Sequence, residues 1–264
     1  MGKGWKEMSV LSNLVSGISQ GTIEVIDLTA PLSNKTPILQ LPEPFANTIS
    51  FGLEEISHYD DRGPAWYWNN IHTGEHTGTH FDAPIHWVTG KDQDDVSQVP
   101  VRRLVAPAAV LDFSAQAEAD ADFVLEIDHI REWEREHGAL PHGGWLLFRT
   151  GWDARSNDDA LFRNVDDSGS HTPGFSVECA RWLAEEAPII GVGTETVGTD
   201  AGGAAAFDPP FPCHTFMLGA GKYGLTQLQN LAMLPAQGAV VIASPLPIIG
   251  GSGSPARALA LVER

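Results

Sequence analysis

The sequence predicts an α/β domain. Short runs rich in Val, Ile, Leu and Ala recur from residue 23 to residue 262, and segments with helical apolar spacing and plausible caps interrupt them. Length agrees: 264 residues, 42% of them hydrophobic, suffice for one large core.

Taken in order, Trp5, Met8, Leu11, Leu14, Val15 and Ile18 fall near helical spacing, which predicts an amphipathic helical arm over residues 1–21. Residues 22–264 then form a single domain. Strands are predicted at Ile23 to Leu28, Val105 to Phe113, Trp145 to Thr150, Ile189 to Gly193, Ala239 to Ala243 and Ala258 to Val262. A helix is predicted from Ile127 to His137, with Asp128 as N-cap, Ile130 and Trp133 on the apolar face and Gly138 just beyond the end. A second runs from Val177 to Ala187, between the capping Ser176 and Pro188. Asp153 to Gly169 is polar and acidic and reads as a surface excursion. Gly198 to Pro212, rich in Gly, Ala and Pro, reads as a long loop of the kind that often carries function. No internal repeat or composition break divides the chain.

Charge excludes several classes. With a formal net charge of −18 and only 16 Lys and Arg, nucleic acid and anionic membrane surfaces are unsuitable partners. Residues 1–20 lack the continuous apolar stretch of a signal peptide, and no other run is long and apolar enough to span a bilayer. Cys179 and Cys213 do not make a disulfide scaffold, so a reducing cytoplasm is the expected location.

The chemistry concentrates in His76-Thr77-Gly78-Thr79-His80-Phe81-Asp82-Ala83-Pro84-Ile85-His86. His76, His80, Asp82 and His86 occupy even positions, so in extended chain their side chains share a face. Imidazole with carboxylate is the donor set of borderline and hard divalent metals, and no thiolate singles out zinc. Thr77, Gly78, Thr79 and Pro84 argue against a helix here, which separates the segment from the helical His-Glu-x-x-His motif. His86 suits proton transfer, since imidazole titrates near neutral pH; a fourth ligand or an orienting residue is the other reading. Trp66, Trp68 and Trp87 flank the motif and Phe45 lies in a Pro-rich loop; they either stack a flat substrate or fill the core. His72 precedes His76 by four residues and is a candidate to support the ligands. Cys213 beside His214 reads as a structural cysteine, because adjacent side chains diverge in extended chain. Gly219 to Gly224 lacks the spacing and the Ser/Thr of a phosphate loop.

This eleven-residue motif resembles that of the cyclase-like metal-dependent hydrolases, a family that includes bacterial kynurenine formamidases and isatin hydrolases. Glu24 to Leu32, Gly191 to Thr196 and Gly250 to Pro255 are similar to other segments of the family, and the resemblance runs from about residue 22 to the end. It is closest to the isatin hydrolases, through Trp66 to Asn70, Pro212 to His214 and Gly219 to Gly224. The resemblance implies a swivelling β/β/α fold, a homodimer or higher even-numbered homo-oligomer, His76, His80 and Asp82 as metal ligands, and His86 as the proton carrier. In the formamidases a further His and a Glu complete a two-metal site; His214 matches that His, while the Glu position falls on Gln229. A neutral amide does not bridge two cations, so one divalent metal per subunit is expected, manganese favoured and zinc the alternative, with Gln227 and Gln229 as neighbours. The expected activity is hydrolysis of a small cyclic amide, isatin to isatinate, with Phe45, Trp66, Trp87 and His214 holding the substrate. Kynurenine formamidase is the enzymatic alternative, and a non-catalytic metal- or ligand-binding member of the fold the other.

Overall fold

The computed structural model describes residues 9–264, so the expected helical positions Trp5 and Met8 lie outside the described residues. The first helix, α1 (Val10–Gln20), is capped by the Ser9 hydroxyl, which accepts from Ser12 N–H, and ends on Gly21 in the left-handed region. Its Val10, Leu11 and Val15 are more than half exposed, leaving an apolar stripe facing outward.

Eight strands build one sheet: β1 (Ile23–Asp27), β4 (His80–Asp82), β5 (Val105–Asp112), β6 (Trp145–Arg149), β7 (Gly191–Thr194), β8 (Tyr223–Thr226), β9 (Gln237–Pro245) and β10 (Gly253–Glu263). The remaining two long strands, β2 (Gly52–His58) and β3 (Tyr67–His72), form a separate antiparallel ribbon. Strands β5, β6, β7 and β8 run parallel. Antiparallel β9 and β10 follow on the β5 side, and β4 pairs antiparallel with both β8 and β10. That double pairing closes seven strands into a ring, with β1 added along the outer half of β10. Closure leaves β4, only three residues long, buried on both edges.

Alternation along the parallel strands sorts the core into two layers. Ala108, Val110, Trp145 and Leu147 join Phe81, Tyr223 and Leu225 on one face. Ala109, Leu111, Leu146 and Phe148 face the helices α2 (Ile127–His137) and α3 (Val177–Glu185), meeting Ile130, Trp133, Cys179 and Leu183.

The α/β expectation holds, with boundaries shifted by a few residues. The cap of α2 is a correction: Glu126, not Asp128, is the N-cap, in a capping box with His129. Asp128 sits in the first turn, where its charge favours the helix N-terminus. Ser176 caps α3 as expected, accepting from Cys179 N–H. The excursion after Asp153 is anchored inward: Trp152 and Phe162 are fully buried, and the Trp152 indole N–H donates to Phe162 O at 2.8 Å.

Candidate metal centre

Of the four positions His76, His80, Asp82 and His86, only His80 and Asp82 lie in extended chain, on β4, where period two points both the same way. His76 precedes the strand in a turn, and His86 follows it at the end of a 3-10 turn, Pro84–His86. The four-residue extended frame is therefore corrected, yet the side chains converge. Gly78 makes the turn possible: its φ is +62°, and a Cβ there would lie 2.5 Å from Leu32 Cδ2. Thr79 ties the turn down, donating to Gln227 O at 2.7 Å and accepting from Ala30 N–H at 2.9 Å.

His76 Nδ1 is 2.8 Å and His80 Nε2 3.4 Å from Asp82 Oδ1. One ligand atom from each residue lies within 4.8 Å of the others, the only such group among the described residues. The hydrogen-bond partners of His80 suit a bound cation. His80 Nδ1 is 2.7 Å from Gly78 O, which can only accept, so the ring carries its proton there. Nε2 is thus the nitrogen that faces the Asp82 carboxylate, and its lone pair is the one a divalent metal would take. Thr226 Oγ1 lies against the same ring, 2.9 Å from Nδ1 and 3.0 Å from Nε2. In the metal-free protein burial alone would push the Asp82 carboxyl up; His80 and His76, acting as donors to it, outweigh burial and hold it well below the usual carboxylate range.

His86 stacks on His76 with ring centroids 3.8 Å apart and meets His214 at 5.6 Å. Burial pushes its imidazole down to about 3, so the ring is neutral at pH 7 and a proton acceptor. The expectation of titration near neutrality is thereby corrected. Trp87 stands 4.8 Å from His214 and 6.0 Å from His86, and its indole donates to Thr215 Oγ1 at 3.1 Å.

The long loop after Gly198 delivers Asp200 to the site. Asp200 accepts from Cys213 N–H at 2.6 Å and from His214 N–H at 3.2 Å, and its Oδ2 is 2.5 Å from His214 Nδ1. Burial would push the His214 imidazole down, but Asp200 more than offsets it and the value is raised. Sequence reasoning missed Asp200; thirteen residues separate it from Cys213, and only the loop's length hinted at a role.

Other expected positions fall elsewhere. His72 is exposed on β3 and pairs with Glu54 at 2.9 Å, so it does not support the ligands. Gln229 is bonded to Ser156 Oγ and Leu228 O, not to the ligand cluster. Gln227 directs its side-chain amide to Pro37 O; its contribution is the carbonyl that receives Thr79. Phe45 is 63% exposed, and the ring partner of Trp66 is Trp68 on the ribbon, so neither packs against the histidines within one chain. Both cysteines are free and buried, with thiols pushed up by that burial, which leaves no thiolate nucleophile. Lys222 donates to Leu183 O and Ala187 O, satisfying carbonyls at the end of α3.

A closed mixed sheet with a His-His-Asp cluster at the buried strand defines a class. The family described as putative cyclases matches residues 26–201, and the chain belongs to this family of cyclase-like metal-dependent hydrolases. Within it, the isatin hydrolase of Roseibium aggregatum is 47% identical over 259 residues, covering 97% of this chain and 98% of that protein. The crystal structure of an isatin hydrolase bound to the product analogue thioisatinate superposes with a TM-score of 0.95 at 46% identity, covering 98% of this chain and 100% of that one. The kynurenine formamidase of Bacillus cereus is more distant, 27% identical over 241 residues, 90% of this chain and 97% of that protein.

Proposed function

We propose that this chain is an isatin hydrolase, opening the five-membered ring of isatin to isatinate with one divalent metal per subunit. The observation that carries the reading is the His76–His80–Asp82 cluster beside a neutral, stacked His86, in a chain 47% identical to an isatin hydrolase. His76, His80 and Asp82 would hold the cation, manganese by preference and zinc as the alternative. When bound, it polarises a carbonyl and lowers the pKa of a coordinated water from about 15.7 to about 7. His86 accepts the proton of the attacking water and returns it to the ring nitrogen as the carbon–nitrogen bond breaks. Trp87 offers an apolar face to the planar ring. His214, its Nδ1 committed to Asp200, presents Nε2 to a substrate carbonyl or to the carboxylate formed.

The exposed apolar stripe of α1 supports a homodimer or higher even-numbered assembly. The arm over residues 1–21 and the domain over residues 22–264 are proposed as the division of the chain, and Phe45 and Trp66 as binding residues contributed by exposed segments. Among the described residues no helix is long and apolar enough to cross a membrane. A cytoplasmic location is our reading of the two free cysteines.

Steady-state kinetics on isatin and N-formylkynurenine with one manganese-loaded preparation test the proposal. A much higher kcat/KM for isatin is expected. Equal or reversed preference would move the assignment to the formamidase branch, and turnover of neither would leave only the hydrolase class.

A further inference from the structure

His80 has a backbone carbonyl to fix its proton; His76 has none. Its Nε2 lies 2.8 Å from Ser252 Oγ, and a hydroxyl can either donate or accept. Glu75 removes the ambiguity. Glu75 Oε2 accepts from Ser252 Oγ at 2.6 Å and from Ser252 N–H at 3.0 Å. With its only hydrogen given to a carboxylate, Ser252 Oγ can only accept from His76 Nε2–H. Nδ1 is then the nitrogen left to serve as a ligand, and it faces Asp82 Oδ1 at 2.8 Å. In the metal-free protein a proton bridges Nδ1 and Asp82 Oδ1 at that distance, and a bound cation would take its place.

The glycines around Ser252 serve the same contact. A Cβ on Gly253 would lie 2.6 Å from His76 Cε1 and 2.5 Å from Phe81 O; one on Gly251 would lie 3.0 Å from Glu75 Oε1. The Gly-Gly-Ser-Gly run thus lets backbone pass against the imidazole and sets one hydroxyl on it. The chain spans 177 residues between Ser252 and Glu75, so the contact is built by the fold.

We propose that Glu75 and Ser252 are positioning residues that set the tautomer of His76, so that it binds metal through Nδ1. The inference rests on the reading of His76 as a metal ligand.

The test is metal affinity of the purified full-length protein, read by manganese titration with electron paramagnetic resonance of the free ion and by zinc competition against a chromophoric chelator. Ser252→Ala should bind both metals about 10–100-fold more weakly, the usual cost of losing an outer partner of a ligating imidazole. Ser252→Thr, which keeps the hydroxyl, should recover most of that loss. Glu75→Gln should weaken binding, and Glu75→Gln/Ser252→Ala should be no weaker than Ser252→Ala alone, because both act through one proton. Long-range proton–nitrogen NMR of the metal-free protein should place the His76 proton on Nε2 in the wild type and not in Ser252→Ala. Wild-type affinity in Ser252→Ala, or a proton on Nδ1 alone in the wild type, overturns the proposal. Wild-type affinity in His76→Ala would instead overturn the ligand assignment itself, so the two failures are distinguishable.

Discussion

At the scale of single residues, position separates the histidines: His76 and His80 lie against Asp82, and His86 stacks on His76. His86 is neutral because burial pushes its imidazole down to about 3. His86→Ala is therefore expected to lose turnover by about 10²–10⁴-fold while keeping its metal, and His80→Ala to lose both. Metal analysis beside kinetics checks this, with one ion per subunit expected in active wild type. Equal metal loss in the two variants would make His86 a ligand. Glu195 gives a second test. It is fully buried at the end of β7, held by Thr150 N–H at 2.7 Å through Oε2, with Oε1 unpartnered. Burial first, then Asp153, pushes its carboxyl from an ordinary 4.5 up to about 7. The folded state thus binds a proton that the unfolded chain has released. This contribution is fully present below about pH 4.5 and is lost as pH rises through about 7. Between pH 4.5 and 8 the wild type should lose about 3 kcal/mol relative to Glu195→Gln, which has no proton to lose. Chemical denaturation of both proteins at the two pH values measures it; parallel profiles would show that Glu195 titrates normally.

Among elements, the short helical turn His214–Leu218 depends on a residue outside it. Asp200 takes the N–H groups of Cys213 and His214 and also the His214 ring, so one carboxylate both caps the turn and aims its first side chain. Asp200→Asn retains one acceptor for the turn but loses the charge that raises the His214 imidazole. A lowered His214 pKa by NMR and a higher KM with unchanged metal content are the expected outcome. In a His214→Ala background the same substitution should add little to the KM defect. A full additional loss there would reduce Asp200 to a cap. The strand β4 makes a related point. Three residues form a strand only because β8 and β10 bond to both of its edges, and those bonds hold His80 and Asp82 in place.

For the whole molecule, the question is what covers the apolar surface that one chain leaves open. Val10, Leu11 and Val15 on α1 are exposed, as are Tyr67, Trp68 and Ile71 on the ribbon, and apolar patches of this kind mark contacts. Light scattering at micromolar concentration should give twice the 28.4 kDa chain mass or an even multiple of it. Leu11→Glu/Val15→Glu should shift that mass toward the monomer if α1 lies in the interface. A sharp monomer mass for the wild type would refute the assembly.

The sequence by itself determined the fold class, the positions of six of the strands and two core helices, and the motif with its three ligand candidates. These were legible because they are local: period-two alternation, capping residues, and donor types crowded into eleven positions. The ribbon β2–β3 escaped because it is exposed on both faces and has no clean alternation. Strand β8 escaped because its four residues, Tyr223–Thr226, carry little pattern. Closure of the sheet, the Asp200–His214 pair and the Ser252 contacts with Glu75 and His76 join residues from 14 to 177 positions apart. Likewise, the displacement of His72 and Gln229 from the site follows from strand register and from partners elsewhere in the chain. Hydrogen-bond partners across such distances are chosen by packing and register, which a one-dimensional pattern does not encode; only the tertiary structure decided them.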